Sequence, residues 1–116
     1  MPSIVIRLDP SRLQDPDLDL RYEIPDLLVT RSGGLIKDDG YDYEPEGNAL
    51  RIYLRTPDLN SAVRQVITFL EKEHLHGNHL ADAAQVGISE AAASARQEYR
   101  VVYPPKTSGS IMPSIL

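Results

Sequence analysis

The chain has no cysteine, no tryptophan and a single phenylalanine. Without cysteine there can be no disulfide, no thiolate nucleophile and no cysteine-ligated zinc or iron–sulfur centre, a composition that suits a reducing compartment. No apolar run approaches the roughly 20 residues needed to cross a bilayer. The start Met1-Pro2-Ser3-Ile4-Val5-Ile6-Arg7 lacks the charged opening and long apolar stretch of a secretory leader. The expectation is an intact cytoplasmic protein. Bases are also in short supply, 12 Lys and Arg against 17 Asp and Glu, for a net charge of -5. The deficit lies in residues 1–60, which hold twelve acids and seven bases, whereas residues 61–116 hold five of each. An acidic half cannot neutralise phosphates, so sequence-independent nucleic-acid binding is disfavoured. It suits a basic partner, and it serves solubility equally well.

Catalytic signatures are missing too. The serines lack a Gly-x-Ser-x-Gly elbow, and no glycine-rich phosphate loop is present. Asp38-Asp39-Gly40 does not have the alternate-position acids and distant glutamate of an EF-hand loop. His74, His76 and His79, with Glu71 and Glu73 nearby, have ligand chemistry for zinc or nickel but not the paired-histidine spacing around a glutamate of metalloproteases. Histidines after a helix complement its dipole without any metal. Asp15, Asp17 and Asp19 likewise read as helix-start acids before they read as a metal cluster. The sequence calls for no enzyme activity and no cofactor.

What remains is an ordinary globular composition, 41% hydrophobic and 25% charged over 116 residues, enough for one core. Ser3 to Leu8 reads as a mostly buried strand ended by Asp9-Pro10. Asp15-Pro16-Asp17 is a helix start, Leu20, Ile24, Leu27 and Leu28 follow at helical spacing, Pro25 interrupts them, and Gly33-Gly34 stops the helix. Leu35 to Glu44 forms a second strand with a twist or bulge at Gly40, and Leu50, Ile52 and Leu54 alternate in a half-buried third, making a hairpin. Thr56 caps the best helix, which carries Leu59, Val63, Val66, Ile67 and Leu70 on one face and closes at Gly77. Ala84 to Ser89 and Arg100 to Tyr103 are further strands, joined by an alanine-rich connector. The order predicts an α+β fold, a ferredoxin-like antiparallel sheet with two helices on one face. Residues 1–103 form the single domain, with an extra C-terminal strand, and 104–116 a flexible tail.

The densest chemistry is Lys37-Asp38-Asp39-Gly40-Tyr41-Asp42-Tyr43-Glu44-Pro45-Glu46, with five acids and two tyrosines in the nine residues after Lys37. On a strand Tyr41 and Tyr43 share one face while Asp42 and Glu44 share the other. Tyrosine rings supply contact area and acids meet lysine or arginine, which fits a protein interface. The same acids would also protect an exposed strand edge. The candidate partner-binding residues are Asp38, Asp39, Tyr41, Asp42, Tyr43, Glu44 and Glu46, joined by Asp17 and Asp19 at the first helix. Arg51, Tyr53 and Arg55 line one strand face and invite comparison with base-stacking platforms. Cross-strand ion pairs with Asp42 or Glu44 are the plainer account.

With Asp15-Pro16-Asp17-Leu18-Asp19-Leu20-Arg21-Tyr22 and Asp38-Asp39-Gly40-Tyr41-Asp42-Tyr43, the chain resembles the small acidic immunity proteins of bacterial toxin systems. The resemblance implies a protein that binds a cognate toxin and blocks it, with an acidic surface set against a basic enzyme. The alternative expectation is a small-molecule-binding or regulatory domain that forms a homodimer through its sheet edges.

Overall fold

The computed structural model describes residues 1–16, 18–45, 47–93, 97–104 and 109–112. The elements are β1 (Ser3–Leu8), α1 (Leu20–Arg31), β2 (Lys37–Tyr43), β3 (Leu50–Arg55), α2 (Leu59–Lys72), β4 (His74–Leu75), β5 (Asn78–His79), β6 (Ala84–Ser89), β7 (Tyr99–Tyr103) and β8 (Ser110–Ile111). This is an α+β fold. Six strands form one sheet in the order β2-β3-β1-β6-β7-β8, with antiparallel pairings, and β4 and β5 make a separate two-stranded hairpin. No helix among the described residues is long and apolar enough to cross a membrane.

Period-two alternation divides the sheet's side chains. Ile4, Ile6 and Leu8 of β1, Leu50, Ile52 and Leu54 of β3 and Val86 of β6 share one core with Leu20, Ile24 and Leu28 of α1 and Ala62, Val66, Phe69 and Leu70 of α2. The opposite side chains form a second cluster of Val5, Tyr53, Tyr99, Val101 and Ile111. β3 is therefore buried on both faces, with only Arg55 exposed, where alternation alone indicates a half-buried strand.

The second face is covered by the chain's own C-terminal residues. β8 pairs with β7, placing Ile111 beside Tyr99. Arg51 Nη2 on β3 donates to the Met112 carbonyl at 2.6 Å. Ser3 Oγ donates to the Ala91 carbonyl at 2.8 Å. A tail was expected from residue 104, but Ser110–Ile111 is a strand. The physical reason is Ile111 together with the bonds around it. At 3% exposure its burial contributes about 1.5–3 kcal/mol, comparable to ordering the backbone of one or two residues, and the pairing with β7 and the Arg51 bond to Met112 add to it. Residues 105–108 and 113–116 of that expected tail lie outside the described residues.

Several helix boundaries differ from the local signals. α1 begins at Leu20, after Asp19, rather than at Pro16. Asp15 is engaged elsewhere: its N–H donates to Asn78 Oδ1 at 2.7 Å, and Asn78 Nδ2 donates back to its carbonyl at 2.5 Å. The helix runs through Pro25, which is buried, and ends as expected at the two glycines. Gly33 N–H reaches the Thr30 carbonyl and Gly34 N–H the Val29 carbonyl, the paired bonds of a Schellman stop. In α2 the cap is Asp58, whose Oδ1 accepts from Ser61 N–H, while Thr56 Oγ1 accepts from Asp58 N–H. The helix ends at Lys72, not Gly77. His76 and Gly77, with φ of 54° and 77°, instead make the tight turn between β4 and β5, where both central residues need left-handed backbone.

Candidate functional site

β2 is an edge strand of the sheet, with β3 as its only strand neighbour among the described residues. Its register with β3 shifts between Asp38 and Tyr41, and Gly40, at φ 94°, supplies the left-handed residue that such a bulge uses. Beyond the bulge Tyr41 lies opposite Ile52, Asp42 opposite Arg51 and Tyr43 opposite Leu50. The tyrosines thus lie on the side of Ile52 and Leu50, and Asp42 on the side of Arg51.

On the tyrosine side the strand meets the first turn of α1. The Tyr22 and Tyr41 rings stand edge to face with centroids 5.8 Å apart, and Tyr41 and Tyr43 do the same at 6.0 Å. The Arg21 guanidinium lies 4.7 Å from the Tyr22 ring centre and 5.4 Å from that of Tyr41, within cation–π range. A hydrogen bond from Tyr41, then Arg21, draws the Tyr22 hydroxyl below the ordinary tyrosine value. The same bond to Tyr22 holds Tyr41 above it. Tyr22 is 48% and Tyr41 41% exposed, so this organised pair of rings faces solvent, while Tyr43 packs partly against the core.

The acids divide. Asp38 and Asp39 are exposed and Asp42 is half-buried. Asp38 Oδ1 accepts from Gly40 N–H at 2.9 Å and Asp42 Oδ1 from Tyr43 N–H at 2.8 Å. Asp39 stands 4.0 Å from Arg55. These carboxylates keep capacity for a partner's cations, since each oxygen offers more than one acceptor direction. Glu44 does something else. Its Oε2 accepts from Arg7 Nε at 2.6 Å and from Arg51 Nε at 2.7 Å, and its Oε1 from Arg7 Nη2 at 2.9 Å. Burial pushes the Glu44 carboxyl up, but the hydrogen bonds and charges of the two arginines together outweigh it, and the group lies below its ordinary value. It acts as the internal counter-ion of β1 and β3.

Asp19 sits at the entrance of α1, its carbonyl accepting from Tyr22 and Glu23 N–H. Asp17 and Glu46 lie outside the described residues. Arg51 and Tyr53, at 3% and 7% exposure, are covered by the C-terminal residues and present no stacking platform. Only Arg55 of that row is exposed. The His74 and His79 rings stack at 4.9 Å, while His76 contacts Glu23 at 3.0 Å and His79 contacts Asp82 at 3.1 Å. Among the described residues no group of three His, Cys, Asp or Glu side chains converges as a metal site.

The structure adds Arg21 and Tyr22 to the candidate site. No protein-family model, no curated protein and no solved structure matches the chain. The signal that could have placed Tyr22 beside Tyr41 is topological: α1 leads directly into β2 and packs against it, so its exposed first-turn side chains border that strand.

Proposed function

We propose that the chain is an inhibitory protein-binding domain, an immunity protein that neutralises a cognate bacterial toxin in the cytoplasm by occupying a basic surface of it. The observation that carries this reading is the solvent-exposed Tyr22–Tyr41 pair beside β2, a sheet edge among the described residues, whose strand also carries Asp38, Asp39 and, on its other face, Asp42. Tyrosine suits an anchor because its large amphipathic ring loses little conformational freedom when it is covered. Cation–π contact with Arg21 holds the pair in place before binding, so less ordering remains to be done on contact. The acids around it favour encounter with a basic surface and disfavour pairing with a second copy, which would set like charges against each other. The domain itself is read as a ferredoxin-like sandwich with both helices on one face. Support comes from the element order and the strand order β2-β3-β1-β6, which sets β1 between the third and the last strand of the unit.

The test is capture of partners from the native organism's lysate with wild type and with Asp39→Lys/Asp42→Lys, both checked for folding by circular dichroism. One stoichiometric basic protein is expected on the wild type, weakened at least about tenfold on the folded variant, as charge complementarity at an interface requires. Equal capture by both would remove these acids from the site.

A further inference from the structure

A cleft lies away from the β2 edge, and its origin is in the topology. α2 packs against β1 and β6, and β7 is the next strand outward. Between α2 and β7 the surface opens into a cleft of about 740 Å³. Val63 of α2, Ile88 of β6 and Val102 of β7 supply apolar wall, and all three also pack partly against the core.

Its charges are segregated along its length. Ser3 pairs with Arg55 on one side and Ser89 on the other, so the residues just past β3 and β6 lie at the same end of the sheet. Asp58 and Glu90 line the cleft from that end. Arg64 lies six residues further along α2, about 9 Å at the helical rise. Arg100 lies opposite Ile88, two residues back along β6 from Glu90, about 7 Å at the strand rise. The residues that carry the basic groups therefore stand roughly 7–9 Å further along the backbone than those that carry the acids. Neither arginine forms an ion pair among the described residues. Asp58 Oδ1 accepts from Ser61 N–H as the helix cap, which leaves its second carboxylate oxygen for a ligand.

We propose that this cleft binds a short peptide with free termini, two or three residues long and aliphatic in side chain. In an extended chain of that length the ammonium and carboxylate stand about 6–10 Å apart, which brackets the backbone offset between the residues that carry the acids and those that carry the arginine charges. The ammonium sits between Asp58 and Glu90, the carboxylate between Arg64 and Arg100, and the side chains lie on Val63, Ile88 and Val102. A simple inorganic anion would leave the acidic end unmatched, and a fatty carboxylate would bury it without a partner.

The probes are the dipeptide Leu-Leu and its N-acetylated and C-amidated forms, titrated into the full chain by calorimetry and by amide chemical shifts. Leu-Leu is expected to saturate below about 1 mM, shifting amides around Val63, Ile88 and Val102. Blocking either terminus is expected to weaken binding at least about tenfold, as loss of a charge-assisted pair does. Arg64→Gln/Arg100→Gln should bind Leu-Leu no better than wild type binds the amidated form, and Glu90→Gln should narrow the difference between the free and acetylated peptides. Absence of saturable binding, equal affinity for the blocked peptides, or shifts confined to other residues would overturn the assignment. Because the β2 edge takes no part, partner capture is expected to be unaffected by the Arg64 and Arg100 substitutions, so the two sites fail or stand separately.

Discussion

Gly87→Ala is expected to destabilise the fold by about 1–3 kcal/mol, the range for forcing extra volume into a packed core. A Cβ at residue 87 would stand 2.6 Å from Tyr99 Cβ, 3.1 Å from Ile111 Cδ1 and 3.2 Å from Val5 Cγ1. The Ile111 contact can relax by rotation. The Tyr99 contact cannot, because a Cβ is fixed to its backbone, so β7 itself would have to shift. Alanine also narrows the unfolded ensemble, which works the other way by about 0.4–1 kcal/mol; the clash is larger and the net effect is a loss. A fall in the urea midpoint with an unchanged slope would show it. An unchanged or raised midpoint would mean that the second face of the sheet is not packed by Tyr99 and Ile111.

Glu44→Gln is expected to cost more, roughly 3–5 kcal/mol, the range for removing one partner of a buried ion pair. The substitution preserves shape and removes the only carboxylate among the described residues that is bonded to Arg51, whose side chain is 4% exposed. Arg7 loses the same partner, but its side chain is 30% exposed and water takes up part of that loss. The pH dependence has a definite sign. The Glu44 carboxyl in the folded protein lies below its ordinary value of 4.5, so its contribution is complete above that value and is lost as pH falls through it toward the folded one. The stability difference between wild type and Glu44→Gln should therefore be largest at neutral pH and shrink on acidification below about 4.5. Denaturant titrations at a series of pH values measure it, and a difference that stays constant to low pH would show that the ion pair does not support the fold.

Both effects arise on the face of the sheet that local patterns describe least well. Leu50, Ile52 and Leu54 alternate clearly enough to define β3 and the face it turns to the helices. The same alternation makes Arg51 and Tyr53 look solvent-facing. What covers them is Tyr99 and Val101 together with residues 110–112, which are distant in sequence and come after a Pro-Pro-Lys-Thr-Ser-Gly segment with the composition of a tail. Gly87 is the sequence trace of that packing: a glycine inside a strand marks a close approach of another part of the chain.

The helix ends teach a related lesson. Gly33-Gly34 stops α1 through bonds made within the helix, and the sequence pattern suffices to locate it. The start of α1 does not follow its local signals, because Asp15 is tied to Asn78, 63 residues away. Gly77 serves a hairpin turn rather than a helix stop, since the same left-handed preference fits both. In the candidate site, the separation of Tyr41 and Tyr43 from Asp42 was legible from strand periodicity. The engagement of Glu44 by Arg7 and Arg51 depended on register, and the pairing of Tyr22 with Tyr41 on how α1 meets β2.

Hydrogen–deuterium exchange of the chain with and without its captured partner tests the central claim most directly. Added protection is expected at residues 37–43 and in the first turn of α1 around Arg21 and Tyr22, with the α2–β7 cleft unchanged. Protection elsewhere, with residues 37–43 exchanging as in the free protein, would contradict the proposal that this edge is the inhibitory surface.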